Sequence, residues 1–133
     1  MMKEYPGPEG VSPARGYSHV VSVSGGRTVY VSGQIALDAA GNIVGPGDFG
    51  AQAAQVFANL KAALAAAGAT FEDVVKMNTY VVDLDPAILP ALREARAAHF
   101  PREHPPASTL VGVTKLAMEG LLIEVEVIAV VGE

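Results

Sequence analysis

The segment Leu121-Leu122-Ile123-Glu124-Val125-Glu126-Val127-Ile128-Ala129-Val130 restricts the fold more than any other: an apolar, β-branched run interrupted by two carboxylates. In a β-strand, side chains two apart share a face. Ile123, Val125, Val127 and Ala129 therefore line one face, which is core, while Glu124 and Glu126 project from the other, followed by Ile128 and Val130. That second face is partly wet and partly covered, and chemistry is expected there.

The rest of the chain supplies partners for this strand. His19 to Val23 reads as a strand, Ser24-Gly25-Gly26-Arg27 as a turn and Thr28 to Ser32 as a second strand, together a hairpin. Asp48 stands where an N-cap precedes an alanine-rich helix. Val56, Phe57, Leu60 and Leu64 recur at helical spacing along it, and Gly68 marks its stop. Val74 to Val82 is strand-like. Asp85-Pro86 opens a second helix running to about Phe100, in which Pro90 sits late for a first-turn proline and either shifts the start or kinks the first turn. Residues 101–106 form a loop, and strands follow near Thr109 to Val113 and Leu121 to Val130.

The order β-β-α-β-α-β-β predicts an α+β single domain over residues 1–133, with two helices on one face of a mixed sheet. So small a chain has no element left to cover the other sheet face, so self-association through that face is expected. The alternative is a second face that is simply half-exposed. Half of the residues are apolar, enough for a core. A net charge of -5 and a pI near 5.1 argue against a nucleic-acid surface. The absence of cysteine excludes disulfides, thiolate metal sites and cysteine nucleophiles. The first ten residues lack a signal-peptide core, and the longest apolar run is too short to span a membrane, so a cytoplasmic location is the default expectation.

Gly16-Tyr17-Ser18-His19, Val31-Ser32-Gly33-Gln34-Ile35, Val75-Lys76 with Tyr80-Val81 and Asp83-Leu84, and Ile123-Glu124-Val125-Glu126 together resemble the reactive intermediate deaminase family, also called RidA, YjgF or L-PSP. The resemblance covers nearly the whole chain. It implies a chorismate-mutase-like subunit in a homotrimer, a ligand cleft at each subunit interface, and hydrolysis of small enamines and imines to a 2-keto acid and ammonia without a cofactor. On that resemblance Glu124 is the catalytic glutamate that positions or activates water, and Tyr17, Ser32 and Gly33 are ligand-binding residues of the cleft.

The family's deaminating branch also carries an arginine in a Pro-Ala-Arg-Ser type motif that binds the substrate carboxylate. Here that segment is Pro106-Ala107-Ser108-Thr109, which puts Ser108 in the arginine's place and leaves Ser108 and Thr109 as the substrate-binding candidates. Leu110 stands for a common cysteine and Ala91 for a helix asparagine. A guanidinium grips a carboxylate through two charge-assisted bonds of roughly 1.5 to 3 kcal/mol each, whereas serine offers one neutral bond. Affinity for a 2-imino acid would fall by roughly two orders of magnitude unless another cation stood in, and Arg15, Arg102 and Lys115 are candidates by sequence proximity.

The remaining residues point elsewhere only weakly. His19, His99 and His104 are scattered without metal-ligand spacing; His19 is a candidate for the cleft border, the others for loops. Ser32-Gly33 lacks a nucleophile-elbow motif, and the glycine pairs lack phosphate-loop spacing. Glu126 has no role in the family pattern and reads as structural. Three functions stay open: an imine or enamine hydrolase with altered specificity, a non-catalytic ligand-binding or regulatory trimer, and, least favoured by the acidic composition, an endoribonuclease.

Overall fold

The computed structural model of the protein describes residues 1–132. Six strands, β1 (Met2–Glu4), β2 (Ser22–Ser24), β3 (Arg27–Ile35), β4 (Val74–Val82), β5 (Ala107–Val113) and β6 (Ile123–Val131), alternate with two helices, α1 (Phe49–Ala66) and α2 (Leu89–Ala97). The main sheet has the order β3-β6-β4-β5. β6 runs antiparallel to both of its neighbours, and β4 and β5 are parallel.

The two-residue period of β6 decides the layering. Ile123, Val125, Val127 and Ala129 are all but fully buried, packed with Val29, Val31, Met77 and Val81 against the α1 face formed by Ala53, Val56, Phe57, Leu60 and Leu64. Each large apolar side chain so buried contributes about 1.5–3 kcal/mol. The helices occupy one side of the sheet, as the strand alternation requires, and the side bearing Glu124 and Glu126 has no covering element among the described residues.

The ends of α1 follow local rules. Asp48 accepts a hydrogen bond from the Ala51 amide at 3.0 Å, and beyond Ala66 the Gly68 and Ala69 amides return to the carbonyls of Ala65 and Leu64, with Gly68 at φ +71. One polar residue, Gln52, lies fully inside. Its amide donates to the carbonyls of Gly120 (2.9 Å) and Gly45 (3.3 Å) and accepts from the Leu122 amide (2.8 Å), so α1 holds the chain just before β6 begins.

Three expectations are corrected. The hairpin between residues 19–23 and 28–32 does not form. Gly25 and Gly26, both at positive φ, redirect the chain, and Ser22–Ser24 pairs instead with β1, which the sequence reading did not anticipate, in a separate two-stranded sheet. Of the two readings of Pro90, the shifted start holds: a 3-10 turn over Pro86–Ile88, capped by Asp85, precedes α2 at Leu89, so Pro90 falls in the first turn, where its missing N–H has no partner to lose. α2 ends at Ala97 rather than Phe100, and β5 begins at Ala107, two residues early, because Pro106 and Ala107 are held by Ser18 in a bridge alongside.

Candidate active site on the open sheet face

The two glutamates of β6 project from the same face but meet different partners. Glu126 stands opposite Asn78 of β4, and Asn78 Nδ2 donates to its Oε1 at 3.0 Å. Tyr80 is in register with Glu124, yet its hydroxyl leans along the strand and donates to Glu126 Oε1 at 2.6 Å. These two donors, the tyrosine first, hold the Glu126 carboxyl below its usual range, and the same bond raises the Tyr80 phenol, helped by burial and by the charges of Glu126 and Glu124. The structural reading of Glu126 therefore acquires specific partners.

Glu124 is left without a hydrogen bond among the described residues, and its position depends on β3. The ladder between β3 and β6 pairs Val31 with Val127 but Gln34 with Val125, so Ser32 and Gly33 carry one extra residue, a β-bulge. Gly33 lies directly beneath the Glu124 carboxylate. A Cβ at position 33 would collide with Oε2 and lie 2.7 Å from Cδ and 2.9 Å from Cγ. The absence of a side chain at Gly33 is thus what lets Glu124 fold over the bulge. Ser32, exposed on the same face, borders a polar cup of about 300 Å³ with Tyr30, Lys76, Asn78 and Glu126.

The other candidate residues lie apart from Glu124. Parallel register pairs Thr109 with Asn78 and Ser108 with Met77. Thr109 consequently faces the open side, where Lys76 Nζ donates to its hydroxyl at 2.9 Å, and Ser108 turns toward the helix side. Lys76, which is not one of the candidates Arg15, Arg102 and Lys115, is thus a cation hydrogen-bonded to this strand. Arg102 borders a hollow beside α2. Tyr17 packs edge-on against His19 (ring centroids 5.3 Å apart) in a hollow lined by the N-terminal segment, and its neighbour Ser18 hydrogen-bonds the Pro105 and Pro106 carbonyls. Glu124 on β6 and Ser108 on β5 have β4 between them, roughly 10 Å across the sheet at ordinary strand spacing. The described chain brings together Gly33 with Glu124, and separately the neighbour of Tyr17, Ser18, with the start of β5.

Asn78, Tyr80 and Lys76 were missed as members of this face. The available signal was their period-2 spacing on a strand whose alternate positions, Met77, Thr79 and Val81, are buried. His99 is no simple loop residue: its ring lies 4.7 Å from Phe71 and 5.8 Å from Phe57, and burial first, then Lys61, lowers its pKa. His104 stacks on Tyr5. No group of three or more metal-ligating side chains occurs among the described residues, and no helix there is long and apolar enough to cross a membrane.

Residues 9–131 match the family model described as Endoribonuclease L-PSP. The chain is 36% identical over 126 residues to a 2-iminobutanoate/2-iminopropanoate deaminase of Dermatophagoides farinae, covering 93% of this chain and 90% of that one. Its fold is similar to that of YyfB, a protein of unknown function of the conserved Rid family from Yersinia pestis, with a TM-score of 0.87 at 42% identity over 98% and 100% of the two chains. It is also similar to RidA from an Antarctic Psychrobacter, with a TM-score of 0.70 at 35% identity over 90% and 92%. With that coverage and the α+β architecture above, the chain belongs to the reactive intermediate deaminase (RidA/YjgF/L-PSP) family.

Proposed function

We propose that the protein is a small-molecule hydrolase of imine or enamine C–N bonds, acting in a cleft completed by a neighbouring copy in a cytoplasmic homotrimer, without a cofactor. The observation that carries this reading is Glu124, poised over the Gly33 bulge with no hydrogen bond to occupy its carboxylate, beside a Glu126 whose carboxylate is occupied. The uncovered sheet face and the separation of Tyr17 and Ser108 from Glu124 within one subunit support assembly, because a second copy can supply the missing half.

In this reaction Glu124 accepts a proton from water as its oxygen bonds to the iminium carbon. Glu124 then returns that proton to the nitrogen of the carbinolamine. Glu124 takes the hydroxyl proton as the C–N electron pair leaves with nitrogen, giving a carbonyl and ammonia, which takes up that proton to become ammonium. Tyr17, Ser32, Gly33, Ser108 and Thr109 orient the ligand. The name of the Dermatophagoides relative points to 2-iminobutanoate and 2-iminopropanoate as first substrates to try. Ser108 in place of a guanidinium argues for a substrate without a free carboxylate, and also favours the second reading, a ligand-binding trimer without turnover.

The test is ammonia release from 2-iminopropanoate and 2-iminobutanoate by the native protein, Glu124→Gln and Ser108→Arg. Turnover lost in Glu124→Gln supports the hydrolase. Turnover only in Ser108→Arg keeps the hydrolase but moves the natural substrate away from 2-imino acids, and turnover in none of the three favours the binding reading. Sedimentation equilibrium reads assembly separately, and a single-chain mass would refute the trimer.

A further inference from the structure

The chain carries five arginines, and three of them, Arg93, Arg96 and Arg102, meet at one hollow of about 410 Å³. It lies between the C-terminal half of α2 and the loop that follows, with Phe100, Pro101 and Pro105 supplying apolar walls. α2 packs against α1 on the helix side of the sheet, whereas Glu124 projects from the other face.

Three arginines lining one hollow give it a local positive charge on a protein whose net charge is -5. No carboxylate among the described residues forms an ion pair with them, although Glu94 and Glu103 are close in sequence. Arg96 makes one hydrogen bond, to the Gly16 carbonyl at 3.0 Å, and burial alone pulls its guanidinium below the usual value. Arg96 also has a local structural role: it lies in the last turn of α2, where a cation offsets the exposed carbonyls. That role uses one guanidinium. Arg93, one turn earlier, and Arg102, on the following loop, have no hydrogen bond in it.

Planar guanidinium groups recognise carboxylate and phosphate oxygens in pairs, and apolar walls suit an attached hydrocarbon. A hollow of this size falls within the roughly 300–1,000 Å³ that small-molecule sites occupy. We propose that Arg93, Arg96 and Arg102 form a binding site for a small organic anion, a carboxylate or phosphate monoester with an aryl or alkyl body seated on Phe100, Pro101 and Pro105.

The test titrates the full-length, isotope-labelled protein with phenylacetate, phenyl phosphate and the neutral phenylacetamide while backbone amide shifts are followed. Saturable shifts at Gly16 and within residues 93–105 are expected for at least one of the acids, with the amide about tenfold weaker or more. A preference between the two acids assigns the head group. The double variant Arg93→Gln/Arg102→Gln, at two exposed positions, should weaken the acid about tenfold or more at an unchanged melting temperature. Should that variant fail to fold, Arg102→Gln alone and the acid-to-amide comparison on the native protein decide. Equal binding of acid and amide, no saturable shift with any probe, shifts centred elsewhere, or undiminished binding by the folded variant would overturn the proposal.

Discussion

Replacing Gly33 with alanine separates the position of Glu124 from the stability of the fold. The added Cβ would overlap the Glu124 carboxylate and stand 2.7 and 2.9 Å from its Cδ and Cγ, where carbon–carbon contacts settle at about 3.5–4.0 Å. Gly33 has no positive φ, so alanine carries no backbone strain there. What gives way is the flexible Glu124 side chain, at a cost of about 0.5–1.5 kcal/mol if it leaves its rotamer minimum. The narrower unfolded ensemble of alanine offsets about 0.4–1 kcal/mol of that. Net stability should change by no more than about 1 kcal/mol, a shift of about 4 °C in melting temperature for a domain of this size. Activity should behave differently, because a displaced proton carrier forfeits about a hundredfold or more in rate. Calorimetry reads the first quantity, and ammonia release from the substrate that the native protein turns over reads the second. The carboxyl-carbon shift of Glu124 reports the displacement whether or not a substrate is found. Native turnover with an unmoved Glu124 signal would refute the argument. A drop in melting temperature beyond about 8 °C would do so too, since it would mean that the backbone, rather than Glu124, yields.

Gln52→Leu keeps the volume of a fully buried residue but removes the bonds to Gly120, Gly45 and Leu122, so a loss of about 2–4 kcal/mol is expected in urea unfolding; a loss below about 1 kcal/mol would contradict the anchoring role. His99 should make stability depend on pH. Its folded pKa lies below the ordinary 6.5, so its contribution is fully present above about that pH and declines as pH falls toward the lower folded value, where the unfolded chain takes up the proton first. Melting temperatures measured from pH 7 down to about pH 5 should show this slope, and His99→Gln should flatten it. An unchanged slope in that variant would assign the titration to another group.

Local rules made much of the fold legible. Asp48 and Gly68 bound α1 because a carboxylate caps free amides and glycine accepts a left-handed turn, and both rules operate over a few residues. The Gly25-Gly26 turn misled for the complementary reason. Two glycines permit a hairpin but do not require one, and β2 finds its partner some twenty residues back in β1. In the candidate site, Glu124 was legible through its pattern and family resemblance. Gly33 was named, but its reason, clearance for a side chain on another strand, depends on the pairing of β3 with β6 across nearly the whole chain.

The period of two in residues 123–130 by itself determined which face of β6 is core and that both glutamates share the other, because side-chain direction along a strand is set by backbone geometry alone. The family resemblance set the two glutamates apart, but only the tertiary structure supplied a physical difference between them. The bulge at Ser32–Gly33 makes room for Glu124, Tyr80 reaches past its register partner to Glu126, and three arginines from α2 and its loop converge on one hollow. Each outcome depends on which distant segments are packed side by side, and that is settled by burial of the whole core rather than by any local run of residues.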